Sequence, residues 1–252
     1  PEEVRRPGHL HTRRSDKRAI SHHYDVGNDF YELVLGPSMV YSCAYWPAPE
    51  PAATLEQAQH DKLELVCRKL DLKPGQRLLD VGCGWGSMAI HAAREHGVSV
   101  VGVTLSQEQA AYARKRVADQ GLTDKVEIRV QDYRDVTDGP YDAISSIGMA
   151  EHVGAARYLE YTRACTPCSS PAGGCSTTRS AAARRATSRR TTWTSSSTLC
   201  LPRRRTRPIG TTVTQLERAG FEVRDVESLR EHYALTLRRW VANLEADWRA
   251  RC

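Results

Sequence analysis

The sequence predicts an α/β fold, a doubly wound and mostly parallel sheet with helices packed on it. Two observations indicate this fold class. From residue 77 onward, short apolar runs alternate with stretches whose apolar residues recur at helical spacing. Residues 98–105 are also almost continuously apolar, which is typical of a parallel strand buried on both faces. A chain of 252 residues is long enough to bury one such core. A sheet of this class binds its ligand at the carboxyl ends of its strands.

Each element is predicted from its local pattern. Residues 1–20 are polar and basic and predict a helical or flexible lead-in. Residues 54–71 carry apolar side chains at near-helical spacing, which indicates an amphipathic helix packed on the sheet. Gly97, Gly121 and Gly220 stand where helices are expected to end, since glycine readily adopts the left-handed backbone of a C-cap. The predicted strands are 77–82, 98–105, 126–131, 141–147 and 221–226, and the further predicted helices are 88–96, 107–120, 157–164, 211–219 and 233–250.

The turn after the first strand carries three glycines at alternate positions, Gly82, Gly84 and Gly86, with Asp80 just upstream. Glycine lets the backbone approach a ligand that a β-carbon would push away, and the following helix begins with outward-pointing amide groups. The spacing G-x-G-x-G differs from the dinucleotide pattern G-x-G-x-x-G. A tight connection without a ligand is the alternative interpretation. Because a predicted strand precedes the turn and a predicted helix follows it, cofactor binding is favoured.

The composition changes abruptly between residues 165 and 207. This segment holds seventeen serines and threonines, nine arginines and no acidic residue, and it has neither helical nor strand periodicity. It also supplies the basic charge of the chain, which is +6 overall, so the remaining residues are net acidic. A nucleic-acid partner is therefore not predicted. Strand five of the sheet belongs in this segment, and we expect it to be missing or unreadable, as is the final strand.

Three interpretations of residues 165–207 are open: a disordered Ser/Arg linker, an Arg/Ser RNA-binding tract and a frameshifted translation. Either of the first two would delete a central strand from a well-patterned sheet. GC-rich codons for residues 165–175, read one nucleotide out of phase, encode Leu-His-Ala-Leu-Leu-Lys-Pro-Gly-Gly-Arg-Leu. That string is an ordinary helix end, a Pro-Gly-Gly turn and the start of a strand. We therefore favour a frameshift, with the frame restored near residues 208–210.

The chain shows no apolar run of membrane-spanning length and no secretory signal, so a cytoplasmic location is expected. Its eight cysteines do not indicate a disulfide framework, because four of them crowd into residues 165–200. The pair Cys165 and Cys168 has no second pair at zinc spacing, so no metal site is predicted. The chain begins without methionine and stops just after a helical stretch, which suggests that both ends are cut.

Four strings resemble the cyclopropane-fatty-acyl-phospholipid synthase and mycolic acid methyltransferase family, and the glycine turn resembles the first motif of class I S-adenosylmethionine-dependent methyltransferases. The strings are His-His-Tyr-Asp-Val-Gly-Asn-Asp-Phe-Tyr at 22–31, Val-Tyr-Ser-Cys-Ala-Tyr-Trp at 40–46, Val-Gly-Val-Thr-Leu-Ser-Gln-Glu-Gln at 101–109 and Gly-Met-Ala-Glu-His-Val-Gly at 148–154. The resemblance covers residues 20–164 and 208–250 and fails between them. It implies a Rossmann-like fold.

The resemblance also implies a domain organisation. The expected units are an N-terminal helical or lid segment (1–72), an S-adenosylmethionine-binding core (73–164), the anomalous segment (165–207) and a truncated C-terminal part of the methyltransferase domain (208–252).

The cofactor implied by the resemblance is S-adenosylmethionine. Most class I enzymes end strand two with an acidic residue that binds the cofactor ribose. Here Thr104 takes that place with Gln109 nearby, and both can hydrogen-bond hydroxyl groups without a charge. Asp132 and Tyr133 occupy the place of the adenine contacts, although core packing is an alternative role for Tyr133, as it is for Tyr41. The implied cofactor-binding residues are Tyr41, Ser42, Asp80, Gly82, Gly84, Gly86, Thr104, Leu105, Gln109, Asp132 and Tyr133.

The reaction implied by the resemblance is methyl transfer to an alkene, followed by loss of a proton from the resulting carbocation. In the family a bound bicarbonate takes that proton, held by a cysteine backbone, a glutamate, a histidine and a tyrosine. Cys43, Glu151 and Tyr233 match three of these and are the candidate catalytic residues, whereas the histidine would fall in the unreadable segment. Alternative roles are an inert buried thiol for Cys43, helix N-terminal charge stabilisation for Glu151 and packing for Tyr233.

The leading functional hypothesis is therefore methylation of the double bond in unsaturated acyl chains of phospholipids, with a ring or a methyl branch as the product. A small-molecule amine N-methyltransferase is the enzymatic alternative. A non-catalytic, damaged product able at most to bind S-adenosylmethionine is the other. The implied partner is an unsaturated phospholipid at the membrane surface, with the protein peripheral to the inner face. A homodimer is compatible with the resemblance.

Overall fold

The computed structural model describes residues 27–47, 53–149, 153, 157–165, 169–178 and 209–251. The strands are β1 (Arg77–Val81), β2 (Ser99–Thr104), β3 (Val126–Val130), β4 (Tyr141–Ile147) and β5 (Ser169–Thr178). The helices are α1 (Asn28–Leu35), α2 (Leu55–Lys69), α3 (Ser87–His96), α4 (Gln107–Asp119), α5 (Tyr158–Cys165), α6 (Ile209–Arg218) and α7 (Arg230–Arg251). The five strands form one sheet in the order β3-β2-β1-β4-β5, and every pair is parallel. The predicted parallel α/β fold is confirmed.

The core lies on both faces of the central strand β1, which pairs with β2 and with β4. Leu78 of β1 stands beside Val100 on one side and Ala143 on the other. Successive side chains of a strand point to opposite faces, so Leu78 packs with the core under α2, α3 and α4. Leu79 packs on the other face with Tyr158 and other side chains of α5. Burial on both faces explains the nearly continuous apolar runs.

The helix ends follow from local sequence. At the start of α2, Thr54 Oγ1 accepts a hydrogen bond from Gln57 N at 3.2 Å, and Ser106 Oγ accepts one from Gln109 N at 3.2 Å at the start of α4. The predicted cap Gly97 has a left-handed backbone with φ 66° after α3. Each predicted helix after residue 54 is present with bounds that differ by a few residues.

Strand five is present, which corrects the expectation that it would be missing. β5 pairs with β4 over residues 174–178, where Gly174 stands opposite Ala143. The register shifts between Ser169 and Gly174, and Pro171, which has no N–H to donate, falls inside this irregular stretch. The strand was not predicted because strand pairing depends on backbone hydrogen bonds, whereas the hydrophobic periodicity of the sequence depends only on side chains.

The prediction of a strand at 221–226 was wrong. Residues 221–229 have no regular secondary structure, and Val226 is exposed. A strand is stabilised by a neighbouring edge that accepts its backbone hydrogen bonds, and the structure pairs no described strand with this segment.

A third apolar cluster joins the N-terminal segment to the end of the chain. It contains Tyr31 and Leu35 of α1, Trp46, Trp85 of the glycine turn and Trp240 of α7. The Tyr31 and Trp85 rings lie 4.8 Å apart between centroids. This cluster fixes α1 and α7 beside the turn that follows β1. Among the helices of the described part, none is both long enough and apolar enough to cross a bilayer.

Candidate active site

The glycine turn after β1 forms a tight loop that closes on β2. The backbone N–H groups of Gly82 and Cys83 both donate to Val103 O, at 2.9 and 3.0 Å. Gly82, Gly84 and Gly86 have φ values of 78°, 55° and 83°, a left-handed region that favours glycine.

The two sides of the turn differ in the space around them. A β-carbon at Gly82 would clash with Cγ of Met149, so the protein itself fills that position. A β-carbon at Gly84 would meet no atom of the described residues within 4 Å. The turn is therefore open at Gly84, where a bound group can approach the backbone at the start of α3.

Asp80, at the end of β1, has one carboxylate oxygen satisfied and one available. Its side chain is buried at 2% exposure, and Ser145 Oγ donates to Oδ1 at 2.7 Å. Oδ2 is buried and has no hydrogen-bond partner within the described residues. Burial raises the pKa of Asp80 to about 6. A buried, unpartnered carboxylate oxygen is costly, so the position fits a ligand that brings a donor or a positive charge.

Uncharged polar groups end β2, as the sequence predicts. The buried Thr104 hydroxyl donates to Gln109 Oε1 at 2.9 Å and accepts from Ser106 N at 3.2 Å. These bonds fix the Gln109 amide with its nitrogen as the remaining donor. Leu105 lies between Thr104 and Ser106 in the chain and is half-buried. The group can bind hydroxyl oxygens without a carboxylate.

Asp132 and Tyr133 follow β3 at the same edge of the sheet. Arg134 holds the Asp132 carboxylate with Nε at 2.8 Å and Nη2 at 2.5 Å. The Tyr133 ring packs edge-on against Tyr161 at 5.3 Å, and burial raises its pKa to about 12. Both predicted adenine contacts thus have partners within the protein, and Tyr133 also has the packing role.

The segment of residues 40–43 lies across α2 and is held there by two buried polar side chains. Gln59 Nε2 donates to Ser42 O at 3.0 Å, and Lys62 Nζ donates to Ser42 Oγ at 3.0 Å. Both side chains are almost fully buried. Tyr41, next to them, contacts the Trp240 ring at 5.4 Å and keeps about a third of its surface exposed.

Lys62 connects the two halves of the site. Burial lowers the pKa of Lys62 to about 8, whereas Cys43 and Asp80 favour its charged form. Its ammonium group donates to Ser42 of the 40–43 segment, and the Asp80 carboxylate at the end of β1 acts on its pKa through their opposite charges. Sequence reasoning missed Gln59 and Lys62, although both occupy positions of the apolar face of the amphipathic helix, where a polar side chain indicates a specific task.

Cys43 lies against the start of α7, which is distant in sequence. Its thiol donates to Ala44 O at 3.2 Å and to Leu229 O at 3.6 Å. Thr236 Oγ1 accepts from Ala44 N at 3.0 Å, which joins the two segments. Burial raises the pKa of Cys43 to about 11, so the thiol is neutral near pH 7 and does not act as a base.

Tyr233 lies on the first turn of α7, so the structure brings its helix to the segment of Cys43. The Tyr233 ring contacts Trp240 edge-on at 6.4 Å and is partly buried in the third cluster. The preceding residue, His232, accepts a hydrogen bond from Trp46 N through Nδ1 at 2.8 Å and stacks on Tyr45. Sequence reasoning missed His232 and Thr236, for which the spacing gave no signal. Glu151, the other predicted catalytic residue, falls outside the described residues.

Comparison with known proteins agrees with this arrangement. Residues 11–251 match the profile of the mycolic acid cyclopropane synthetase family. A probable fatty acid methyltransferase of Mycobacterium tuberculosis is 45% identical over 241 residues, which cover 96% of this chain and 56% of the relative. The cyclopropane-fatty-acyl-phospholipid synthase of Escherichia coli K12 is 50% identical over 151 residues, 59% of this chain and 37% of that enzyme.

Solved structures give the same result. A mycolic acid cyclopropane synthase in complex with S-adenosylhomocysteine (SAH) and CTAB superposes with a TM-score of 0.78 at 30% identity, covering 92% of this chain and 84% of the other. The chain spans about half the length of the first curated relative, 56%. From the match to the family profile over nearly its whole length, the chain belongs to the mycolic acid cyclopropane synthetase family.

Proposed function

We propose that this protein is an S-adenosylmethionine-dependent methyltransferase that modifies the double bond of unsaturated acyl chains in phospholipids. One observation supports this most directly. The open glycine turn stands beside a buried Asp80 carboxylate whose Oδ2 lacks a partner in the described structure, at the carboxyl edge of a parallel sheet. The family relationship supplies the class of cofactor and of substrate.

The residues present fit S-adenosylmethionine. The ammonium group of its methionine part would provide the positive donor that Asp80 Oδ2 lacks. The space at Gly84 admits a ligand against the backbone. Thr104 and Gln109 offer uncharged polar groups for ribose hydroxyls. When bound, the cofactor supplies a methyl group activated by a sulfonium centre.

With S-adenosylmethionine bound at Asp80, Gly84, Thr104 and Gln109, its methyl group would pass to an alkene carbon of the acyl chain, with the thioether as the leaving group and a carbocation left on the acyl chain. Loss of one proton closes a ring or leaves a methyl-branched alkene, and either product gains one CH₂. A weak nucleophile needs close positioning, and the bonds from Gln59 and Lys62 fix the segment that carries Cys43. The neutral Cys43 thiol is a poor proton acceptor. We propose, from the family resemblance, that bicarbonate held beside Cys43, Glu151 and Tyr233 takes the proton.

The substrate lies in a bilayer, so we propose that the protein works at the membrane surface, on the cytoplasmic side, and a homodimer is part of this proposal. Sedimentation equilibrium with and without vesicles of anionic, unsaturated phospholipid tests both statements. A purely monomeric protein would contradict the homodimer, and a protein that does not sediment with the vesicles would contradict binding at the membrane surface.

The test of the activity uses S-adenosylmethionine labelled in its methyl group and vesicles of cis-unsaturated phospholipid. We expect label in the extracted lipid, a fatty acid that gains one CH₂, and loss of this product in the Asp80→Asn variant. Resistance of the product to mild hydrogenation identifies a ring, and uptake of hydrogen identifies a branched alkene. The matched control is Asp119→Asn, at an exposed aspartate on α4.

If the folded protein binds S-adenosylmethionine but labels no lipid, the acyl substrate is wrong. Label in an added amine would then favour the N-methyltransferase alternative, and no transfer to either would favour a non-catalytic product.

A further inference from the structure

A compact set of metal-binding side chains lies between α2 and α3, outside the proposed active site. Cys67 on α2 and His91 and His96 on α3 each place one donor atom within 4.8 Å of the others. Glu64, one helical turn before Cys67, faces the same histidines. His96 Nε2 lies 2.9 Å and His91 Nε2 lies 3.4 Å from Glu64 Oε2.

The set is enclosed but reachable from one side. Cys67 and His91 have exposures of 0% and 3%, whereas the side chains of His96 and Glu64 keep 18% and 23% of their surface. Arg68 Nε donates to Glu64 Oε1 at 2.8 Å, and Glu64 Oε2 faces the two imidazoles. One thiol, two imidazoles and one carboxylate thus converge with a path to solvent past His96.

We propose that Cys67, His91, His96 and Glu64 form a binding site for a divalent transition metal, of which Zn²⁺ is the best match. Zinc takes four nitrogen, sulfur and oxygen ligands in a tetrahedron, with Zn–N distances of about 2.0–2.1 Å and Zn–S of about 2.3 Å. Those lengths place donor atoms about 3.3–3.6 Å apart. The donors here already lie within 4.8 Å of one another or, for the carboxylate, within 3.4 Å of both imidazoles. Donor atoms at the far end of this range would have to approach by roughly 1.5 Å to reach the tetrahedral spacing.

The linear sequence concealed this site, because its donors come from two helices at separations that match no short zinc motif. On α2 the spacing of Glu64 and Cys67 puts both on one face. A cysteine releases its thiol proton when it binds a metal, so binding should strengthen as pH rises.

A metal here would join the two helices that support the proposed active site. α2 carries Gln59 and Lys62, which hold the 40–43 segment, and α3 begins at the glycine turn. Binding would therefore stabilise the fold without contacting the substrate.

The test is a titration of the full chain, freed of metal by a chelator, with Co²⁺. We expect one equivalent to bind and to produce a near-ultraviolet thiolate-to-cobalt charge-transfer band together with the visible bands of tetrahedral cobalt, and Zn²⁺ should displace it. Cys67→Ser should abolish the charge-transfer band. The Glu64→Gln variant should still fold, because the Glu64 side chain is partly exposed. It should weaken Co²⁺ binding at least about tenfold.

Two controls separate this site from other donors in the chain. Cys83→Ser removes a different buried thiol, and His60→Gln removes an imidazole that packs against His91 at 4.9 Å but is outside the donor set. Both should keep the bands. A charge-transfer band that survives Cys67→Ser, or the lack of stoichiometric Co²⁺ binding by protein that shows a cooperative thermal unfolding transition, would overturn the proposal.

Discussion

Replacing Gly84 with alanine tests whether the glycine turn is built for a ligand. Gly84 has φ 55°, so an alanine there carries a backbone strain of about 1–2 kcal/mol. Its β-carbon would meet no atom within 4 Å in the part of the chain that the structure describes, so the substitution adds no clash with those residues. If a cofactor lies against this backbone, the new methyl group occupies its space.

Gly121, after α4, provides a matched control. It has φ 66°, and a β-carbon there also meets none of the residues placed by the structure within 4 Å. The Gly121→Ala variant therefore carries the same strain without being at the glycine turn. Both variants should lose about 1–2 kcal/mol in the free energy of unfolding, measured by urea denaturation.

The affinities for S-adenosylmethionine should separate the two variants. We expect Gly84→Ala to weaken binding by at least about tenfold, which corresponds to about 1.4 kcal/mol. Gly121→Ala should bind like the unmodified chain. Isothermal titration of both proteins decides the matter. Equal affinity of Gly84→Ala and the unmodified chain would refute the placement of the cofactor against this turn.

Three other predictions concern the buried polar groups. The pKa of Asp80 is raised to about 6 from its ordinary value of 3.8, so its burial favours the protonated form, and its contribution to stability is complete below pH ~4 and lost as pH rises through 6. A cationic ligand needs the ionised Asp80 carboxylate, so affinity for S-adenosylmethionine should fall as pH drops through 6. Titrations of the Asp80→Asn variant at several pH values should show that this pH dependence is lost. Lys62→Met should lower methyl transfer by about tenfold or more because Ser42 loses the donor that holds its segment, which steady-state kinetics would show. Thr236→Val should cost about 2 kcal/mol or more of unfolding free energy, since the buried Ala44 N–H loses its acceptor.

Controls for these variants come from exposed positions of the same type. Lys115→Met, on the solvent side of α4, and Thr123→Val, in the loop after it, should leave transfer and stability within error of the unmodified chain. A Lys62→Met variant with unchanged transfer would show that the 40–43 segment needs no tether. Unchanged stability of Thr236→Val would mean that the contact between this segment and α7 contributes little.

The sequence predicted those features of the fold and of the candidate site that depend on residues close together in the chain. Alternating glycines after Asp80 predicted the turn. Apolar runs predicted β1 and β2, since burial on both faces leaves little choice of side chain, whereas β3 was predicted although its Glu127 is exposed. Thr104 and Gln109 were placed by their position at the end of a strand. The helix end at Gly97 was also predicted from a single residue.

Other features depend on contacts between distant segments, so no local pattern reveals them. Lys62 is related to Asp80 and Ser42 only after α2 packs on the sheet. Thr236 joins Ala44 across 192 positions of the chain. The segment 221–226, predicted as a strand, has apolar residues near alternate positions, but no described strand pairs with it. In contrast, β5 pairs with β4, although its sequence lacks alternating apolar residues.

The form of β5 bears on the frameshift hypothesis for residues 165–207. Regular pairing with β4 begins at Gly174, after an irregular stretch that contains Pro171. In the alternative frame the turn Pro-Gly-Gly takes positions 171–173 and the strand residues Arg-Leu begin at 174, so both frames start the strand at the same place. Side chains differ between the frames, whereas the backbone that makes the ladder is common to both. A chain restored to the alternative frame should therefore keep this register, gain an apolar strand five, and unfold at a higher temperature than the chain as written. Binding of S-adenosylmethionine by the restored chain alone would show that the segment disables a methyltransferase. Equal stability and equal binding by both chains, or an unbroken frame in the coding DNA, would contradict the frameshift.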